Sequence, residues 1–303
     1  MGGPARITIE HTHTLSPIAK AACHSAEALL SALESRYSRY RNNSLVSTIN
    51  RRAGSGKRTP LDQEAVALMQ FCQALWEQSA GRFDPTSGIL RRVWNFRDGT
   101  LGDPGQLEKL LGKVGWDKVS LENDSAHLEE PEMEIDLGGV VKEYAADKAA
   151  QHLRDQGIEH ALVELAGDVV TIGTQQGGEP WRVGISDPNE PANAILTVEL
   201  VNAALATSGT YQRFIDSNGQ RYSHFLNPVT GWPVEGPSSV SVISDTCLTA
   251  GAVATVACLT PRAECPEWLE RAGAPWLQVD FDGRLSGPLK AKNPSGRSER
   301  TCT

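Results

Sequence analysis

Two early stretches repeat apolar residues three and four positions apart. Ala22, Ala26, Leu29, Leu33 and Tyr37 make one helical face, and Ser16-Pro17 supplies a cap followed by a first-turn proline. A helix is therefore expected from about Ser16 until Asn42, Asn43 and Ser44 break it. Leu68, Phe71, Cys72 and Leu75 predict a second helix from about Asp62 to Ala80, with Gly81 after its end. Asp103-Pro104 opens a shorter third one. From Val119 the pattern changes to short strand-like runs: Val119–Leu121, Met133–Leu137, Ala161–Leu165, Val169–Ile172, Trp181–Ile185, Ile195–Val201 and Val240–Ile243. In Ile195–Val201, Leu196, Val198 and Leu200 alternate with Thr197 and Glu199, which gives one buried and one wet face. Helices near Val141–Gln156, stopped by Gly157, and Thr246–Leu259, stopped before Pro261, interrupt the strands, and Asp282-Gly283 turns a last hairpin. Strands mixed with segregated helices, without a strict alternation, predict an α+β fold.

Composition narrows the picture. The 303 residues are 40% hydrophobic and 22% charged, enough apolar material for a large core. The net charge of −8 and the lack of a dense Lys/Arg block argue against nucleic-acid binding. No apolar run reaches the ~18–20 residues of a membrane helix, so no membrane span is expected. The opening Met-Gly-Gly-Pro-Ala-Arg has no apolar signal-peptide core, so the sequence as written is expected in the cytoplasm. The six cysteines form no CxxC pair and are expected to act as small apolar residues. No linker divides the chain, and the polar residues after Lys290 are expected to fray.

Several segments carry residue types suited to chemistry. Glu134-Ile-Asp-Leu-Gly-Gly-Val-Val-Lys142 reads as a strand ending at Asp136, a Gly138-Gly139 turn, and a helix start offering free N–H groups to an anion. It equally suits an ordinary strand-to-helix turn with a capping aspartate. His224 precedes the turn-forming Asn227-Pro-Val-Thr-Gly231, where a histidine can serve as a base near neutral pH or sit as a plain surface residue. Thr207-Ser208-Gly209 reads as a turn presenting two hydroxyls. Gly251 and Thr255 share a face of the late helix, where the Thr255 hydroxyl faces a cavity or bonds back to a carbonyl. Trp94 offers a ring for stacking, although a core position is the commoner fate of tryptophan. Gly81–Gly88 and Ala166-Gly-Asp168 complete the set.

The order of these segments resembles the ApbE family of FAD:protein FMN transferases. Ser38-Arg-Tyr with Ser44 and Ile49-Asn50 is similar to the family's S-R-F…S-x-I-x-x-L-N. Gly81–Gly88 is similar to G-x-F-D-P-T-V-G, and Val93–Phe96 to L-W-G-F. Ile135–Asp147 resembles I-D-L-G-G-I-A-K-G-Y-A-V-D, and Leu162–Asp168 a strand ending in G-G-D. Trp181–Pro188, Ala206–Tyr211, Ser223–Val234 and Cys247–Thr255 resemble W-x-V-G-I-x-D-P, A-T-S-G-D-Y, S-H-I-I-D-P-R-T-G-x-P-V and C-M-x-A-D-A-L-A-T. The resemblance implies one body over residues 1–290, with mixed or antiparallel sheet and flanking helices, and a polar tail over 291–303. It implies Mg²⁺-dependent cleavage of FAD, transfer of FMN through its phosphate to a Thr or Ser of an acceptor flavoprotein, and release of AMP. By position it assigns His224 to activating the acceptor hydroxyl. Trp94, Asn95, Asp136, Lys142, Thr207, Ser208 and Gly209 fall at flavin and nucleotide contacts, and Gly139 and Thr255 at metal ligands. Relatives commonly work outside the cytoplasmic membrane.

The pattern is broken at four positions. Gly251 stands where the family has a metal-binding Asp, Thr210 and Asn227 replace other aspartates, and Glu143 replaces a Gly. No clear match to the family's opening M-G-T segment precedes Ser16. Asp245, near the start of the late helix, is a candidate for partial replacement of the missing carboxylate. The alternative implied by Gly251 is an FAD-binding protein with weak or lost transfer, in which Gly251→Asp would strengthen Mg²⁺-dependent turnover. A ligand-free protein scaffold is the third reading.

Overall fold

A computed structural model describes residues 3–10, 17–211 and 213–292. In chain order the first elements are β1 Ala5–Ile9, α1 Pro17–Tyr37, α2 Leu45–Arg51, β2 Thr59–Pro60, α3 Gln63–Gln78, α4 Pro104–Leu111, β3 Val119–Glu122 and β4 Ser125–Leu128. Then follow α5 Val141–Asp155, β5 Ala161–Leu165, β6 Asp168–Ile172, β7 Trp181–Ser186, β8 Ala194–Leu200 and β9 Ala204–Gly209. The last are β10 Phe214–Ser217, β11 Gln220–Ser223, β12 Ser239–Ser244, α6 Cys247–Cys258, α7 Cys265–Ala272, β13 Trp276–Val279 and β14 Leu285–Ser286. Short 3-10 turns cover Pro85–Arg92, Trp116–Lys118 and Pro288–Lys292. The last of these takes in residues 291 and 292 of the expected tail. Its remainder, and the Ser16 cap, lie outside the described residues.

Seven strands form the central sheet in the order β1-β5-β6-β9-β12-β13-β14, with every neighbouring pair antiparallel. Helices α5 and α6 cover one face, α1 packs on α5, and α7 packs on α6. The β7–β8 hairpin covers the other face, where Ile185, Leu196, Val198 and Leu200 meet Val169, Leu205, Leu277 and Val279. These are the alternating inward positions of β8. Strand β6 is buried along its whole length because both faces are covered. A third cluster of Ile89, Leu90, Val93, Trp94, Leu107, Ile215 and Leu226 joins the 85–92 turn to the β10–β11 hairpin. Helix α6 (CLTAGAVATVAC) is built almost wholly of small or apolar residues, and most of them are buried. Such a helix belongs between layers rather than on a surface.

Local chemistry explains the helix starts. Asp62 accepts from Ala65 N–H at 3.0 Å, Asp103 from Gln106 N–H at 2.8 Å, and Thr246 from Thr249 N–H at 3.2 Å. Ser44, expected only to break α1, also caps α2 through Ser47 N–H at 2.9 Å. The cysteines Cys72, Cys247, Cys258 and Cys265 are buried and unpaired. No helix among the described residues is long and apolar enough to cross a membrane.

Two local expectations are corrected. Met133–Leu137 forms no strand; its backbone is held by Asn50 and by Pro85, whose carbonyl accepts from Asp136 N–H at 2.9 Å. Thr207-Ser208-Gly209 is not a turn. It lies in β9, a central strand paired with β6 on one side and β12 on the other. Sheet pairing outweighs the turn preference of these residues because all three pair with β12 on one edge, while on the other the Asp168 side chain takes the Thr207 N–H.

Candidate functional site

Helices α5 and α6 run antiparallel, and three contacts four residues apart fix their register. Asp147 on α5 accepts from Cys247 and Leu248 N–H at 2.8 and 2.9 Å, satisfying two free donors at the α6 start. One turn back along α5, Glu143 lies against Gly251. A β-carbon on Gly251 would overlap Glu143 Cγ and come within 3.1 Å of Cδ and 3.3 Å of Oε1. One turn further, the methyl of Thr255 is 4.0 Å from where a Gly139 β-carbon would be, and the Phe83 ring is 3.1 Å from that point. Two of the four departures from the family pattern therefore touch, and the Glu143 side chain uses the room that Gly251 leaves.

Around this seam the structure gathers polar groups from five elements. Lys142 Nζ is ion-paired with Asp168, at the start of β6, and lies 3.0 Å from Glu143 Oε1. Asp168 Oδ1 accepts from Thr207 N–H at 3.0 Å. The Thr207 and Ser241 hydroxyls are 2.8 Å apart, and Ser208 Oγ lies 3.1 Å from Thr255 Oγ1. The other carboxylate oxygen of Glu143, Oε2, is shielded from solvent and has no hydrogen-bond partner. Glu143 is only 5% exposed, so this oxygen is an orphaned acceptor in a dry place.

Asp136, just before the Gly138-Gly139 turn, is committed to arginines. It pairs with Arg91, lies 3.8 Å from Arg39 Nε, and accepts from Gly138 N–H at 3.0 Å. Desolvation, with the repulsion of Arg39, pushes the Arg91 guanidinium down to about 10, so it stays charged at neutral pH. A cavity of about 330 Å³ opens beside this pair, lined among others by Arg39, Tyr40, Arg51, Arg91 and Arg92. The lining carries four guanidiniums against one carboxylate, Glu134, an excess that favours an anionic group.

His224 follows directly after β11. It is half-buried, with Phe225 at 4.4 Å and Phe96 edge-on at 6.4 Å between ring centroids. Its Nδ1 lies 3.2 Å from the Arg213 carbonyl. A carbonyl only accepts, so Nδ1 carries the proton and Nε2 keeps the basic lone pair. Desolvation pushes the imidazole down to about 4, aided by the positive charges of Arg213 and Arg91 and opposed by the Arg213 hydrogen bond. The ring is therefore neutral at pH 7.

Trp94 is a buried structural residue, whereas Asn95 is exposed and held in its own turn. Trp94 is 1% exposed, donates from Nε1 to Gly231 O at 2.8 Å, and packs among Phe96, Tyr222 and Trp232. Neither ring face is presented to a flavin; the exposed ring of the cluster is Trp232. Asn95 closes its own turn by accepting from Arg97 and Asp98 N–H at 3.1 and 3.3 Å. Asp245 is exposed before α6, at the opposite end of that helix from Thr255. The carboxylate beside Gly251 is Glu143.

Among the described residues, no three His, Cys, Asp or Glu side chains are grouped to hold a metal. The seam nevertheless offers what a hard cation takes: hydroxyls of Thr255 and Ser208, backbone at Gly139, and the orphaned Glu143 oxygen. The residues present fit a small oxygen-ligated divalent ion. The sequence pointed to Lys142, Gly139, Ser208 and Thr255, and the structure brings them to one seam. It missed Glu143 as a site residue, because the only signal was its pairing with a glycine 108 positions away.

Comparison with known proteins identifies the family. A family model described as the ApbE family matches residues 1–277. The FAD:protein FMN transferase of Treponema pallidum is 32% identical over 257 residues, covering 78% of this chain and 70% of the relative. That of Vibrio cholerae is 28% identical over 235 residues, covering 76% and 70%. Among solved structures, the ApbE protein of Thermotoga maritima superposes with a TM-score of 0.85 at 28% identity, covering 96% of this chain and 95% of that one. The flavin transferase ApbE of Vibrio cholerae gives 0.83 at 25% identity, covering 95% and 93%. With the fold, the motif order and the sequence match in agreement, the chain belongs to the ApbE family.

Proposed function

We propose that this protein is an FAD:protein FMN transferase that moves FMN from FAD to a Thr or Ser hydroxyl of an acceptor protein. The observation that carries the reading is the convergence of Lys142, Ser208, Thr255 and the orphaned Glu143 carboxylate on one seam, in a chain whose relatives bear that name. The arginine-lined cavity beside Asp136 supports binding of an anionic part of FAD.

In the reaction the acceptor oxygen forms a bond to the FMN phosphorus, the pyrophosphate P–O bond breaks, and AMP leaves with the bridging oxygen. The acceptor proton goes to His224 Nε2, which is ready because Nδ1–H is tied to Arg213 O and the ring is neutral. Thr255 and the Gly139 backbone would hold Mg²⁺, which when bound neutralises charge building on the pyrophosphate. Lys142 keeps Asp168 and Glu143 in place, and Asp168 fixes the Thr207 N–H that sets the β9 main chain. Phe83 against Gly139 keeps water from that side of the turn.

The second reading, an FAD-binding protein without transfer, draws on Gly251, which supplies no carboxylate. His224→Ala separates the roles. As the general base, His224 should contribute roughly 10²–10⁴ to the transfer rate, so the variant binds FAD but transfers slowly. Unchanged transfer would remove His224 from the chemistry.

A further inference from the structure

We infer that Glu143, on α5, is the charged side-chain ligand of a divalent cation at the α5–α6 seam, in the place opposite Gly251. The inference rests on the transferase reading for the location of the chemistry. Its own support is geometric. The register Asp147/Cys247, Glu143/Gly251 and Gly139/Thr255 puts the Glu143 side chain one helical turn, about 5.4 Å of rise, from the Thr255 hydroxyl. A glutamate side chain spans that distance. Gly251 is what lets it do so, since any β-carbon there would collide with Glu143 Cγ.

The carboxylate is placed at a cost unless something binds it. One oxygen is matched by Lys142 at 3.0 Å, while the other is buried and unpartnered. A buried charged oxygen without a donor is unfavourable, and native proteins rarely leave one so. Lys142 cannot serve both oxygens freely, because its ammonium is also paired with Asp168. One turn along the seam lie the Thr255 and Ser208 hydroxyls, 3.1 Å apart, of which each can turn a lone pair outward. A carboxylate oxygen with two hydroxyls one helical turn away is a donor set for Mg²⁺ or Mn²⁺ and a poor one for softer metals. The negative charge lost at position 251 is thus supplied from the facing helix.

The test uses the full-length chain with Mn²⁺ as the probe, followed by electron paramagnetic resonance of the free ion. Glu143→Gln keeps the shape and removes the charge. It should weaken Mn²⁺ binding by at least about tenfold, the loss that even outer partners of metal ligands show on mutation. Should Glu143→Gln fold poorly, Glu143→Gly and the double variant Glu143→Gly/Gly251→Asp carry the same question. The single variant should lose Mn²⁺, and the double, which returns a carboxylate from α6, should regain it. Wild-type Mn²⁺ affinity in Glu143→Gln, or in Glu143→Gly, overturns the inference, as does a wild-type protein that takes up no Mn²⁺. Either result leaves the transferase reading standing if FAD still binds and is cleaved. Failure of the wild-type protein to bind FAD would instead strike the transferase reading itself.

Discussion

Asn50 and Ile135, 85 residues apart, exchange two hydrogen bonds: Ile135 N–H donates to Asn50 Oδ1 at 2.9 Å, and Asn50 Nδ2 donates to the Ile135 carbonyl at 3.0 Å. The side-chain amide does the work of a neighbouring strand for a buried segment that has none. It fixes the chain immediately before Asp136 and the Gly138-Gly139 turn. Asn50→Ala leaves a buried donor and acceptor unpaired, at about 1–3 kcal/mol for each. Urea unfolding should show a loss of about 2–6 kcal/mol, and FAD titration a weaker complex. Asn50→Asp should be no better, because it turns a carboxylate oxygen toward the Ile135 carbonyl. A change in stability below about 0.5 kcal/mol, the level of an ordinary surface substitution, would show that the pair does not hold the segment.

The contact between Glu143 and Gly251 changes the expectation for Gly251→Asp. With Glu143 in place the new side chain has no room and brings a second carboxylate to a buried one. Overpacking of this kind costs about 1–3 kcal/mol, so Gly251→Asp alone should lower the melting temperature rather than improve turnover. Glu143→Gly should also destabilise, since glycine inside a helix costs about 1 kcal/mol. The double variant should be more stable than the two single effects predict, with a coupling of about 0.5–3 kcal/mol. Strict additivity would mean that the two positions do not compete for the same space.

His224 gives a pH dependence with a definite sign. Its folded value, about 4, lies below the ordinary 6.5. Between those values the unfolded chain holds a proton on this ring and the folded chain does not, so stability rises with pH across that window. The contribution is complete above the ordinary value and is lost as pH falls through the folded one. As a base, His224 stays deprotonated down to about pH 4 in the free enzyme, so kcat/KM for AMP release should show no inflection near 6.5 from this group. Imidazole nitrogen NMR at pH 6 should find the neutral ring protonated on Nδ1. A cationic ring at that pH would contradict the assignment.

The strands that lie under hydrophobic alternation or β-branched runs were legible in the sequence. Leu196, Val198 and Leu200 marked β8, and Asp62, Asp103 and Thr246 marked helix starts through caps that depend only on neighbours a turn away. What escaped depends on distant partners. Thr207-Ser208-Gly209 carries turn residues, and pairing with the distant β12 makes it a strand. Met133–Leu137 carries strand residues, and its partner is a single asparagine side chain. Helix α7 and strand β1 were not anticipated at all. In the site, the motif order led to Lys142, Ser208, Thr255 and His224. Glu143 and Gly251 read as two separate departures, one gaining and one losing a carboxylate, because a one-chain sequence does not reveal that α5 and α6 face each other at those positions. Trp94 kept the stacking expectation of an aromatic residue until its burial and its bond to Gly231 placed it in the core.

The central claim is that this chain cleaves FAD and delivers FMN to a hydroxyl. The most direct measurement incubates the purified protein with FAD and a Thr/Ser-bearing acceptor flavoprotein, with and without Mg²⁺, and follows FAD, FMN and AMP by chromatography while weighing the acceptor by mass spectrometry. Mg²⁺-dependent AMP release in step with flavin appearing on the acceptor is the expected result. FAD that binds but stays whole with acceptor and Mg²⁺ present would contradict transfer and leave a flavin-binding protein; FAD that does not bind would contradict the flavin assignment altogether.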